Sequence, residues 1–354
     1  MSTPMPDPRG LRRIAVFRAL VLGDMLCAVP ALRAMRRAWP AAEVTLVGLP
    51  WAQAWAERCP HVDRFVAFPG LPGLPERAPD VGAMPGFLAA MQAHRFDLAI
   101  QLHGSGTLTN PLVALFGARH TAGFVDGGGC RPTYARDWPR AGHEIERLLA
   151  MSDRLGAPRQ GLALEFPLRP EDDLALAAQW PGVREARDIA CVHVGAQLPS
   201  RRWWPERFAA VADRLAAQGA TVVFTGTDAE RPLVTGAGAA MRHRAVDLAG
   251  RTTLWSLGAL VRRARVLVCN DTGVSHVAAA LGTPSVVVSL GADARRWAPL
   301  DHDRHRVLWA DVPCRPCAHR DCPVGHTCAA AIQPHHVDAA AADAARPTCQ
   351  DLAA

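Results

Sequence analysis

The chain has 354 residues, 49% of them hydrophobic and 20% charged, with a formal net charge of +6. That length exceeds what one hydrophobic core usually serves, so two domains are expected of an otherwise ordinary globular composition. No apolar run approaches the roughly 20 residues of a membrane span, and Arg18 and Asp24 interrupt the apolar stretch near the start, so a signal peptide is rejected and a cytoplasmic protein is expected.

Short β-type runs alternate with helix-type segments, the pattern of an α/β fold with parallel sheets. Strands are expected at Ile14–Phe17, Val44–Val47, Arg64–Ala67 and Asp97–Leu102. Between the first two, Leu32, Met35 and Trp39 share one helical face, and Arg33, Arg36 and Arg37 share the opposite one. Those arginines suit either a solvated face or an acidic acceptor. Residues 69–85, rich in Gly and Pro, are expected to form a long loop, and the polar stretch 167–187 an interdomain linker. The rhythm then restarts. Strands fit Ile189–Val194, Thr221–Phe224, Ala245–Leu248, Val266–Cys269 and Ser285–Ser289, and helices fit Pro205–Gln218, Ala229–Ala240, Leu254–Arg263 and Val274–Leu281. Domains of 1–175 and 176–354 follow.

Ligands of such sheets bind outside the carboxyl ends of the strands. The turn after the first strand presents Asp24 beside Gly23, in no dinucleotide fingerprint. Asp24 fits a general base that takes a proton from an attacking hydroxyl, or the N-cap of the next helix. After the strand ending at Cys269, Asn270-Asp271-Thr272-Gly273-Val274-Ser275-His276 opens a helix whose N-terminus suits a diphosphate. Capping by Asp271 beside a satisfied histidine is the competing account. Gly195 ends another strand, and Arg202 beyond it is either a phosphate clamp or an exposed arginine next to packed tryptophans. Glu230 fits a ribose ligand or a helix-dipole carboxylate.

Of ten cysteines, Cys27, Cys59, Cys130, Cys191 and Cys269 are scattered among apolar residues and read as small buried hydrophobes, while Cys349 lies in the tail. Cys314-x2-Cys317-x4-Cys322-x5-Cys328 fits a structural zinc or iron site, reduced thiols or, least readily in a cytoplasmic protein, disulfides. The sequence holds no lysine. Its excess of arginine favours acidic partners such as phosphorylated ligands or an anionic membrane face, and nucleic acid is not among the expected partners.

Taken in order, these segments resemble glycosyltransferase family 9, the ADP-heptose:lipopolysaccharide heptosyltransferases and their relatives. The most specific match is Asn270-Asp271-Thr272-Gly273-x-x-His276-x-Ala278-Ala279-Ala280-x-Gly282-Thr283-Pro284, supported by Leu22-Gly23-Asp24 with Pro30-Ala31-Leu32, by Arg202-x-Trp204-Pro205, and by Phe96-Asp97-Leu98 with Gly104-Ser105. The resemblance implies a GT-B architecture of two Rossmann-like α/β/α domains facing a central cleft, acceptor in the first and donor in the second. It implies an inverting transfer that requires no cofactor, with Asp24 as base. Gly195, Arg202, Glu230, Asp271, Thr272, Gly273 and His276 are then expected at the donor, whose identity as ADP-heptose is implied by the family resemblance alone. Arg202 stands where the family usually has lysine, which keeps the charge but changes its geometry.

A glycan or lipid-linked acceptor is expected to meet Arg33, Arg36, Arg37 or Arg119, with peripheral contact at the inner membrane face. A sugar-nucleotide epimerase on the same scaffold lacks a recognisable second set of acid/base residues. An oxidoreductase lacks its fingerprint, and Asp24 argues against an inert nucleotide-sugar-binding paralogue.

Overall fold

Residues 10–344 are described by a computed structural model, and they divide into two compact units that meet between Pro167 and Leu168. In the first unit the order is β1 (Arg13–Phe17), α1 (Leu22–Cys27), α2 (Val29–Ala38), β2 (Glu43–Gly48), α3 (Gln53–Ala56), β3 (Arg64–Ala67), α4 (Met84–Ala93), β4 (Leu98–Gln101), α5 (Thr109–Ala114), β5 (His120–Val125), β6 (Tyr134–Asp137) and α6 (Glu144–Arg154). The second unit runs α7 (Pro170–Gln179), β7 (Ile189–His193), α8 (Pro205–Ala217), β8 (Thr221–Thr225), α9 (Arg231–Ala239), β9 (Val246–Asp247), α10 (Leu254–Arg263) and β10 (Ala264–Asn270). It continues with α11 (Gly273–Leu281), β11 (Ser285–Val288), α12 (Ala294–Trp297), β12 (His305–Leu308), α13 (Thr327–Ala331) and α14 (Pro334–Ala344).

Each unit is built on a six-stranded sheet, ordered β3-β2-β1-β4-β5-β6 in the first and β12-β11-β10-β7-β8-β9 in the second, with every pair parallel. Counted from its own first strand, each sheet has the doubly wound order 3-2-1-4-5-6. Parallel strands covered on both faces need continuous apolar runs. Accordingly every residue of β4 and β7 is buried, including Cys191, whose thiol burial pushes up to about 12.

The first core is led by phenylalanines. Phe17 meets Phe68 edge-on at 5.0 Å, Phe68 meets Phe87 at 5.8 Å, and Phe87 meets Phe116 at 5.8 Å, the geometry that ring quadrupoles favour. In the second core Trp203 packs edge-on against Phe208 at 5.0 Å and donates its indole N–H to the Ile332 carbonyl at 3.1 Å. Pro205 occupies the first turn of α8, where its missing N–H costs nothing.

The expected linker at 167–187 is instead largely α7. Pro170 starts it, the Asp172 carboxylate accepts from the Arg169 N–H at 2.7 Å, and Glu171, Asp172 and Asp173 favour its dipole. The helix is tied to its own unit by Asp173–Arg262 at 2.5 Å and by the Arg251 guanidinium on the Gln179 carbonyl at 2.7 Å. A break between 175 and 176 would cut through it. Strands β5, β6 and β12 were not expected. β5 contains Gly123, unfavourable in strands by propensity, yet a Cβ there would stand 2.6 Å from Asn110 Oδ1. Cys27, Cys59, Cys191 and Cys269 are buried as expected, Cys130 is exposed, and Cys349 lies outside the described residues.

At the sheet margin, buried His305 shares a 2.9 Å hydrogen bond with Ser285 Oγ. Burial pushes its imidazole down to about 4, with Asp301 opposing and Arg304 and His302 assisting. An unfolded imidazole titrates near 6.5, so on acidification the unfolded chain takes the proton first. The contribution is complete above pH 6.5 and declines toward pH 4, by about 3 kcal/mol in all. Denaturant midpoints measured across this window are expected to fall with pH, and His305→Asn is expected to flatten part of that slope.

Candidate functional site

Strand order reverses between β7 and β10, and the expected donor residues gather at that crevice. Asn270, fully buried at the end of β10, spans it. Its Nδ2 donates to the carbonyls of Val194 at 2.8 Å and Gly195 at 3.3 Å, and its Oδ1 accepts from the Trp203 N–H at 2.9 Å. Three hydrogen bonds from one side chain fix the loop after β7 against the loop after β10. Arg202 sits on that first loop, half-buried, with Nε donating to the Ala196 carbonyl at 2.8 Å.

Gly195 has a steric reason to be glycine. A Cβ there would fall 2.0 Å from the Glu230 carboxylate. Glu230 accepts from the Thr227 N–H at 2.8 Å and the Thr227 hydroxyl at 3.0 Å, the reciprocal arrangement that opens the turn before α9. Behind it, His193 holds Thr225 Oγ1 at 3.0 Å and lies 3.9 Å from Glu230. Burial holds this imidazole below its ordinary value, while Glu230 pulls the other way.

Thr272, not Asp271, is the N-cap of α11, and its side chain makes no capping bond. Asp271 instead accepts from Ser289 Oγ at 3.0 Å. Burial raises its carboxyl above the usual range, opposed by that hydrogen bond and by the charges of Arg201 and Arg315. Gly273 begins α11, and His276 is buried in its first turn. Thr272 and Gly273 therefore form the amino end of the helix, which Asp271 precedes.

In the first unit the reversal falls between β1 and β4. Asp24 lies in the first turn of α1, whose N-cap is Val21, so it is not itself the N-cap. Its side chain is 21% exposed and lies 3.8 Å from the guanidinium of Arg18, which is 1% exposed. Arg18 Nε donates to the Asp24 carbonyl at 2.8 Å, another guanidinium nitrogen donates to the Leu102 carbonyl, and Glu144 is 3.4 Å away. Sequence inspection passed over Arg18 and Glu144, because burial of charge shows only once β1, β4 and α6 are assembled.

The expected acceptor arginines are dispersed. Arg33 pairs with Glu165 at 2.5 Å and donates to the carbonyls of Gln160, Gly161 and Ala163. Arg36 pairs with Asp63 and donates to the Ala42 carbonyl at 2.8 Å. Arg37 is exposed. Arg119 directly precedes β5, at the amino edge of the sheet, away from the carboxyl edge where such folds bind ligands.

The Cys-rich segment also departs from expectation. Among the described residues no three His, Cys, Asp or Glu side chains are grouped to hold a metal ion, so the geometry lends the zinc or iron reading no support. The four thiols lie at different depths: Cys314 is exposed, Cys317 and Cys322 are half-buried, and Cys328, in the first turn of α13, is buried in the core. The segment is stitched to the donor crevice instead. The Cys317 N–H donates to the Gly291 carbonyl at 2.8 Å, and Ser200 donates its N–H to Arg320 and its hydroxyl to His319. Arg315 donates to the Ala292 carbonyl at 2.6 Å and to Ser289 Oγ at 3.3 Å.

Comparison with known proteins agrees with this arrangement. Lipopolysaccharide heptosyltransferase 2 of Escherichia coli K12 is 25% identical over 316 residues, covering 84% of this chain and 87% of the relative. Its Salmonella typhimurium counterpart is 24% identical with the same coverage. The structure of E. coli ADP-heptose lps heptosyltransferase II superposes with a TM-score of 0.75 at 20% identity, over 95% of this chain and 98% of that one. A family 9 glycosyl transferase from Veillonella parvula gives 0.72 at 22% identity, over 84% and 85%. These likenesses establish the GT-B fold. Residues 87–328 match the profile of Glycosyltransferase family 9 (heptosyltransferase), and the chain belongs to that family of glycosyltransferases.

Proposed function

We propose that the chain transfers a heptose from ADP-heptose to a hydroxyl of a lipopolysaccharide-core or similar glycan, with inversion at the anomeric carbon. The observation that carries this reading is Asp24: a partly exposed carboxylate at the switch point of the first sheet, in the first turn of α1, with its backbone held by a buried arginine. Relatives named for lipopolysaccharide heptosyl transfer, and a structural neighbour described as heptosyltransferase WaaC with ADP, support the substrates.

In this reading the first unit receives the acceptor and the second the donor. The acceptor oxygen attacks the anomeric carbon while the bond from that carbon to the β-phosphate oxygen breaks. The hydroxyl proton passes to Asp24, and the bonding electrons leave with ADP. Charge developing on the diphosphate meets the N-terminus of α11 at Gly273 and Thr272 together with Arg202. Glu230 takes ribose hydroxyls, and Gly195 leaves its carboxylate room to do so. Asp271 and His276 act by shaping that end of the helix. The transfer needs no cofactor.

Among the described residues no helix is long and apolar enough to cross a membrane. A lipid-linked acceptor would bring the protein to the cytoplasmic membrane face, assisted by its net charge of +6.

Two substitutions separate chemistry from binding. Asp24→Asn is expected to abolish transfer from ADP-heptose while ADP affinity, measured by titration calorimetry, stays within about twofold; an active variant would remove Asp24 from the mechanism. Gly195→Ala is expected to displace Glu230 and weaken ADP by about tenfold or more, equal to about 1.4 kcal/mol; unchanged affinity would take Glu230 off the ribose.

A further inference from the structure

The first unit contains a cavity of about 210 Å³ lined by residues 105–107, Asn110 and 125–131. It is smaller than the roughly 300 Å³ and upward of sites for drug-sized ligands, a size for one substituent rather than a whole glycan. The loops after β4 and β5 form it, so it opens on the same carboxyl edge of the same sheet as Asp24.

Its chemistry is that of a donor-rich cradle. Gly127, Gly128 and Gly129 follow one another, with φ of +80° at Gly127 and +126° at Gly129, and among the described residues their amides donate to no group. Successive amides in such conformations form an anion-binding concavity. Arg131 at the rim is exposed and makes no ion pair or hydrogen bond among the described residues. Ser105 and Thr107 add hydroxyls 3.2 Å apart. The Asp126 carboxylate, the one anion in the lining, is paired with Arg140 at 2.6 Å.

The floor is Asn110, 5% exposed. Its Nδ2 donates to the carbonyls of Phe124 at 2.8 Å and Cys130 at 3.3 Å, which fixes the amide orientation and ties both ends of the glycine loop to α5. Its buried Oδ1 has no hydrogen-bond partner. Gly106 packs under it, where a Cβ would fall 2.1 Å from the Phe124 carbonyl. The cradle is therefore built on a fixed base.

We propose that this cavity binds a phosphate monoester carried by the acceptor glycan, with Arg131 and the amides of residues 127–129 on the phosphate oxygens and Ser105 and Thr107 toward the sugar hydroxyls. A tetrahedral phosphate has enough oxygens to accept from amides, guanidinium and hydroxyls at once. The proposal rests on the first unit being the acceptor side. β5 lies two strand positions from β1, about 10 Å at the usual spacing. The anchored phosphate would then sit one or two sugar rings from the hydroxyl that Asp24 deprotonates.

The test uses the full chain with ADP present, so that the donor crevice is filled, and titrates glucose 6-phosphate, inorganic phosphate and glucose. Expected is saturable binding of the sugar phosphate, about tenfold weaker binding of inorganic phosphate and none of glucose. Arg131→Gln, a change at an exposed side chain, is expected to weaken the sugar phosphate at least about tenfold with ADP affinity unchanged. Absence of phosphate binding, or binding indifferent to Arg131→Gln, overturns the proposal. Equal affinity for inorganic and sugar phosphate overturns the acceptor role and leaves a site for the free anion. Failure of the donor assignment would register separately, as absent ADP binding, while the phosphate titrations still report on this cavity.

Discussion

Wherever a parallel sheet reverses its strand order, neighbouring connections depart to opposite faces and leave a gap at the carboxyl edge. Both sheets here carry that gap, and the site residues are arranged by it. Backbone ladders cannot close such a gap, so buried side chains do. Asn270 closes the one between β7 and β10 with three neutral hydrogen bonds. Arg18 spans the one between β1 and β4 with a guanidinium on carbonyls from both sides. In a low-dielectric interior both arrangements hold because their partners are in place; either side chain alone would be costly.

The two bridges differ in what they confer. Asn270 carries no charge and fixes backbone. Arg18 places a permanent positive charge next to Asp24, and Glu144 on its other side offsets part of it. Arg18, Asp24 and Glu144 thus form one buried-to-surface charged group at this switch point.

Much of this was legible in the chain before folding. The turns after the expected first, second-half first and Cys269 strands are where the crevices lie, because apolar runs ending in Gly or Asn mark strand ends directly. The short or polar strands β6 and β12 were not legible: Tyr134–Asp137 and His305–Leu308 read as loop, and pairing along the sheet rather than propensity makes them strands. The polar residues after Pro167 read as a linker, and docking onto α10 makes them a helix. Arg33 and Arg36 looked available because their carboxylate partners, Glu165 and Asp63, lie far along the chain. The four cysteines had metal-like spacing, but Cys328 is drawn into the core while Cys314 stays at the surface.

That segment has a consequence for anyone rebuilding the protein. Residues 313–328 are fastened to the loop after β7 through Ser200 and to the end of β11 through Gly291, Ala292 and Ser289. Glycine is required at 291, since a Cβ would stand 2.8 Å from Cys317 Sγ. The crevice between β7 and β10 thus has a fourth wall encoded far downstream of the other three. A chimera that exchanged only the loops after β7, β8 and β10 between family members would seat them against a foreign backing. The unit of exchange is the three loops and the cysteine-rich segment together.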